Sequence, residues 1–127
     1  MRIQIDHDNA LPIYVQVGLQ IKWEIATGRL GEGDPLPSVR QLALELRVNP
    51  NTVVKAYNEL EHEGLVDSQH GRGTFVAPGA RARVDSGRAQ VREALRRAVR
   101  MAREAGLSRD TINQLLREAL QDDREEA

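Results

Sequence analysis

A mainly α-helical chain with one small β-hairpin is the fold class this sequence predicts, and three observations predict it. Apolar residues recur at helical spacing in five separate stretches. Two of those stretches, residues 38–46 and 49–64, carry helix-capping residues and are joined by about three residues. Two brief runs with strand character flank Gln69-His70-Gly71-Arg72-Gly73, whose glycines permit a tight turn.

Taken in order, Ile3 and Ile5 alternate with polar residues and predict a short strand. Residues 11–30 fit two templates. Ile13, Val15, Val17, Leu19, Ile21, Trp23 and Ile25 alternate as a half-buried strand would, but thirteen residues is long for a strand and Pro12 stands at a first helical position. Ile13, Val17, Ile21 and Ile25 with Tyr14 also form one helical face, and Gly28 supplies a stop, so helix is the reading adopted. On it, Val15, Leu19 and Trp23 form a second ridge nearly opposite the first, which predicts burial on two faces.

Residues 31–37, with two Gly and two Pro, predict a loop. Ser38 and Gln41 form a capping box ahead of Val39, Leu42, Ala43 and Leu46. The next helix takes Asn49 as cap and Pro50 as first residue, with Val53, Ala56, Tyr57 and Leu60 facing inward. Helix, short turn, helix, then a hairpin of residues 65–68 and 74–76 is the order of a winged helix-turn-helix. Residues 1–78 are assigned to it and 79–87 to a linker. Residues 88–121 form a two-helix dimerisation region, and 122–127 an acidic tail. In the dimerisation region one helix carries Val91, Leu95, Ala98, Ala102 and Ala105; a second, capped by Ser108, carries Ile112, Leu115, Leu116, Ala119 and Leu120.

Composition narrows the function. The chain has 127 residues, no cysteine, 18 Lys+Arg against 19 Asp+Glu and a net charge of -1. Disulfide frameworks, thiolate zinc sites and cysteine nucleophiles are excluded. The four aromatic residues, Tyr14, Trp23, Tyr57 and Phe75, are scattered, which excludes a sheet that stacks bases. No apolar run approaches the roughly 20 residues that span a bilayer, and residues 1–9 lack a secretory pattern, so a cytoplasmic address and no membrane partner are expected.

Charge is unevenly placed. Residues 80–103 hold eight Arg against Asp85 and Glu93, whereas 104–127 hold three Arg against seven acids. These two blocks complement each other in an antiparallel arrangement, and an isologous two-fold dimer is the expected cover for their apolar stripes. Arg81, Arg83 and Arg88 have a rival reading as contacts to a DNA backbone near the wing.

The helix from Asn49 directs Asn51, Lys55, Asn58 and Glu59 away from its apolar face, with Thr52 on the flank. Amides and hydroxyls there suit base edges and phosphates, and free N–H groups at the helix start are expected to favour a phosphate. Arg40, Arg47 and Lys55 face only Glu45 in this segment, and Arg72 adds a cation at the wing tip. Catalysis finds no support: two Lys and three His offer no triad, phosphate loop or metal spacing, so no cofactor and no metal are expected.

Four separated motifs carry a resemblance. Leu36-Pro37-Ser38-Val39-Arg40-Gln41-Leu42-Ala43, Val48-Asn49-Pro50-Asn51-Thr52-Val53 with Lys55-Ala56-Tyr57, Leu60-Glu61-His62-Glu63-Gly64-Leu65 and Gly71-Arg72-Gly73-Thr74-Phe75-Val76 resemble the GntR family of bacterial transcription regulators. Pro12-Ile13-Tyr14 with Gln16, and Gly28-Arg29-Leu30, resemble its first helix, and the short C-terminal part is similar to the YtrA-type subfamily.

The resemblance implies a homodimer of winged helices on a two-fold double-stranded DNA operator; the function expected is regulation of transcription, as a repressor that blocks polymerase, although the residues themselves do not distinguish repression from activation. It implies DNA contacts by Ser38 and Arg40 of the Pro-Ser-x-Arg motif, by Asn49, Asn51, Thr52 and Lys55, and by His70, Gly71 and Arg72 at the minor groove. Val15, Leu19 and Trp23 are more apolar than the first helix of that family leads one to expect, so Leu19 and Trp23 join Val91, Leu95, Ala98, Ile112, Leu115, Leu116 and Leu120 as dimerisation candidates. The dimer interface, or the space between wing and tail, leaves room for a small-molecule effector whose identity no residue indicates. The competing reading is a protein-interaction adaptor that uses the winged helix without DNA.

Overall fold

The computed structural model describes residues 1–126, with side chains described as far as residue 122. Its elements are α1 (Ile13–Ala26), α2 (Val39–Leu46), α3 (Pro50–His62), β1 (Val66–Gln69), β2 (Gly73–Val76), α4 (Ala80–Glu104) and α5 (Arg109–Glu126). The chain divides into two compact units, Met1–Ser86 and Gly87–Ala127. The tail expected over 122–127 falls almost wholly on side chains outside the described residues.

In the first unit Val17, Ile21 and Ile25 of α1 meet Val53, Ala56, Tyr57 and Leu60 of α3, closed by Leu42, Leu65, Val66 and Val76. Burying each large aliphatic side chain contributes roughly 1.5–3 kcal/mol, so this cluster is what holds α3 in place. Pro12 stands one residue before α1 rather than inside it. The ridge of Val15, Leu19 and Trp23 is not buried within the chain: Leu19 is 50% and Trp23 53% exposed, because the core needs only one side of α1.

The N-terminal arm is not a strand either. Its backbone pairs with two glutamine side chains of α1: the Gln4 N–H donates to Gln20 Oε1 (2.9 Å), and Gln20 Nε2 returns a bond to the Gln4 carbonyl (2.7 Å). Gln16 does the same for Asp6 (2.9 and 3.0 Å) and also reaches the Leu11 carbonyl (2.9 Å). Residues i and i+2 of an extended segment lie about as far apart as i and i+4 of a helix, so the two repeats match. Ile3 and Ile5, on the alternate positions, pack against the core.

Strands β1 and β2 pair antiparallel, Val66 opposite Val76 and Gln69 opposite Gly73. The loop before α2 is more ordered than its Gly and Pro content suggests. Leu36 N–H donates to the Thr74 carbonyl (2.8 Å) and Val76 N–H to the Asp34 carbonyl (2.9 Å), so the loop covers the second edge of β2.

The stretch expected as a linker, 79–87, is helical from Ala80 onward. Ala80 is fully buried, the Gly79 N–H donates to Glu32 Oε1 (2.7 Å), and Arg83 Nη1 donates to the Gly64 carbonyl (2.6 Å). Anchoring by these contacts, with alanine and arginine as good helix formers, overrides the breaker signal of Pro78-Gly79.

Within the second unit, α4 ends with Leu107 N–H on the Ala102 carbonyl (2.9 Å) and Gly106 at φ 81. Ser108 Oγ then caps α5 by accepting from the Thr111 N–H (3.2 Å). Ile112 is half-buried beside this turn, and nearly every other described side chain of the unit is exposed.

Candidate nucleic-acid interface

Two caps build the site. Ser38 Oγ accepts from the Gln41 N–H (3.0 Å) and fixes the start of α2, one residue before the exposed Arg40. Gln41 does not complete the capping box, since its carboxamide leans toward Glu45 (3.4 Å). Arg47 ends α2 in the left-handed region (φ 57), which turns the chain within three residues into α3.

At α3 the Asn49 side chain accepts from the Asn51 N–H (2.8 Å), and the Asn49 carbonyl accepts from the Thr52 N–H (2.9 Å). Pro50 has no N–H. The expected free backbone donors at the start of α3 are therefore already occupied by the Asn-Pro cap, and what is left for an anion there is side chains and the helix dipole.

Buried Val53, Tyr57 and Leu60 leave an exposed stripe on α3. Asn51, Val54, Lys55, Asn58, Glu59, His62 and Glu63 line a shallow concave surface along it. Val54 is the apolar member, 38% exposed, a surface that suits a thymine methyl. Sequence reasoning passed over it, although a helical wheel puts it between Asn51 and Asn58. Tyr57 is locked beneath: its hydroxyl donates to the Pro37 carbonyl (2.7 Å), and burial, aided by the negative charge of Glu45, pushes its pKa well above the usual tyrosine value.

The charges are sorted along α3. At its C-terminal end Glu63 pairs with Lys22 of α1 (2.8 Å). Nearer the start, the Lys55 ammonium lies 4.0 Å from the centroid of the Tyr14 ring. Among the described residues Arg40, Arg47 and Arg72 form no ion pair.

At the wing tip the Arg72 N–H donates to the Gln69 carbonyl (2.9 Å), and Gly71 at φ 77 occupies the third position of that turn, where a side chain would be strained. His70, Gly71 and Arg72 are all exposed. The nine DNA-binding candidates thus sit on α2, α3 and the wing of one unit, exposed except for half-buried Thr52. Of the dimerisation candidates, Leu19 and Trp23 belong to the first unit and the rest to the second, where Val91 (60%), Leu95, Leu115, Leu116 and Leu120 are exposed. Arg83, considered above for the DNA backbone, donates from Nη1 to the carbonyl of Gly64, which follows α3. No helix among the described residues is long and apolar enough to cross a membrane.

Comparison with known proteins accords with this geometry. The family described as "Bacterial regulatory proteins, gntR family" matches residues 13–76. The transcriptional repressor YtrA of Bacillus subtilis is 38% identical over 117 residues, covering 91% of this chain and 90% of that protein. Among solved structures, YtrA from Sulfolobus acidocaldarius is 41% identical with a TM-score of 0.64, covering 76% of this chain and 96% of that one. The DNA-binding domain of AraR in complex with operator ORX1 is 30% identical with a TM-score of 0.54, covering 61% of this chain and 96% of that one.

Proposed function

The chain belongs to the GntR family of bacterial regulatory proteins and is a DNA-binding transcriptional regulator, and on that premise we propose that it acts in the cytoplasm as a homodimeric repressor on a two-fold operator. The observation that carries the proposal is the exposed polar stripe of α3, held by Val53, Tyr57 and Leu60 and fixed at its start by the Asn49 cap. Asn51, Thr52 and Lys55 read and position the major groove, and Val54 adds an apolar contact. Arg40, the Ser38 hydroxyl and the Asn49 carboxamide NH2 hold phosphates. His70, Gly71 and Arg72 follow the minor groove.

The dimer is supported by the second unit. Its helices present Val91, Leu95, Ala98, Leu115, Leu116 and Leu120 without cover, in a basic and an acidic helix that complement each other between copies. Leu19 and Trp23, exposed on α1 of the first unit, and Ile112 of the second are assigned to the dimer contact as well.

The test is the salt dependence of binding to a promoter fragment that the wild-type chain retards. Lys55→Ala and Arg72→Ala each weaken binding and reduce the slope of log K against log salt by about 0.9 for every phosphate they leave without its cation. A wild-type slope in either variant removes that residue from the phosphate-binding set. Failure of the wild-type chain to retard any promoter fragment at low salt, including that of its own gene, would favour the adaptor reading.

A further inference from the structure

Helices α1 and α3 meet along a seam marked by two cross-pairs, Tyr14 with Lys55 and Lys22 with Glu63. The partners are eight residues apart on both helices, so the helices run in the same direction, and the pairs are separated by about 12 Å. Each pair contains one lysine, and the two ammonium groups are treated differently.

Lys22 is neutralised. Its Nζ lies 2.8 Å from one Glu63 carboxylate oxygen and 3.1 Å from the other. Lys55 has a carboxylate within reach of its own helix, Glu59 at i+4, yet no ion pair forms between them. Its ammonium rests on the face of Tyr14 instead, and that ring is itself packed against the hydrophobic core.

The distinction matters for meeting an anion. A lysine bound to a carboxylate must release it before it can take a phosphate, whereas one held over a π face keeps its full charge and has already lost much of its rotamer freedom. We propose that Tyr14 is a positioning residue for DNA binding, its ring holding the Lys55 ammonium ordered and un-neutralised for the operator. This rests on the reading of Lys55 as a DNA contact. An ordering cost removed in advance is worth about three- to tenfold in affinity per site.

The experiment is a double-mutant cycle on the full chain, read as affinity for a duplex that the wild type retards, across a salt series. Tyr14→Phe keeps the π face and binds within about twofold of wild type. Tyr14→Leu loses about three- to tenfold per site, and loses nothing further when Lys55 is already alanine. An equal loss in both backgrounds overturns the proposal, because the ring then acts on the DNA or the fold directly. Lys55→Ala effective but Tyr14→Leu silent overturns it alone; Lys55→Ala silent overturns it together with the reading of Lys55. A readout that needs no variant to fold is the NMR shift of the Lys55 ε-methylene protons in the wild-type chain. Ring-current displacement upfield is expected, and random-coil positions overturn the proposal.

Discussion

Met1–Ser86 and Gly87–Ala127 are both dominated by helix, and they dispose of their apolar residues in opposite ways. Every fully buried apolar residue among those described lies between residues 17 and 80, while Leu95, Met101, Leu116 and Leu120 are each about half exposed or more. Helices α2 and α3 of the first unit are about as amphipathic by sequence as α4 and α5, while α1 is apolar on two faces. What differs is that α1, α2 and α3 have one another and a hairpin to close on, whereas two helices joined by a tight turn cannot bury both their stripes. Amphipathic spacing thus states that a face wants cover and leaves open which chain supplies it.

All four aromatic residues lie in the first unit, so fluorescence follows that unit while far-UV circular dichroism follows both. The largest effect is expected in the self-sufficient core: Ile21→Ala, at a fully buried site, should cost about 2–5 kcal/mol in the fluorescence-detected urea transition. A loss below about 1 kcal/mol would mean that this core is not what holds the unit.

The counterpart in the second unit is Leu95→Asp combined with Leu116→Asp. Carboxylates placed in an apolar interface should weaken self-association by about 100-fold, about 2.7 kcal/mol, in sedimentation equilibrium. The first unit should still unfold cooperatively. Unchanged association would break the contrast.

The smallest effect sharpens it. Tyr57 keeps its proton when folded at a pH where the unfolded chain releases it, so its contribution to stability is constant below about pH 10 and falls above it by up to about 1.4 kcal/mol per pH unit. Tyr57→Phe should remove that slope and, by losing the bond to the Pro37 carbonyl, cost about 1 kcal/mol at neutral pH. The second unit has no tyrosine and contributes nothing to the difference between the two chains.

Local chemistry explains which features were legible before the fold was known. Ser38, Asn49-Pro50, Gly71 and Ser108 act on backbone within a few residues of themselves, and α2, α3, the hairpin and α5 begin or turn where those residues indicate. Features that depend on a distant partner were not legible. The alternation of Ile3 and Ile5 was real, but the partner of that segment is a pair of glutamines ten or more residues away. The helix starting at Ala80 depends on Glu32 and Gly64, and the placement of Lys55 depends on Tyr14. In the candidate site the exposed stripe of α3 followed from periodicity, whereas the occupied amides at its start followed from the cap, a consequence the cap itself should have suggested.

The paired glutamines of α1 have a consequence for exchange with solvent. A carboxamide imitates one edge of a peptide, so Gln4 and Asp6 are bonded as strand residues are, but by side chains that rotate rather than by a backbone that must unfold. Deuterium uptake at those two amides accordingly reports the release of the arm by a pair of rotamer changes, and that clock runs independently of the melting of the helix beneath.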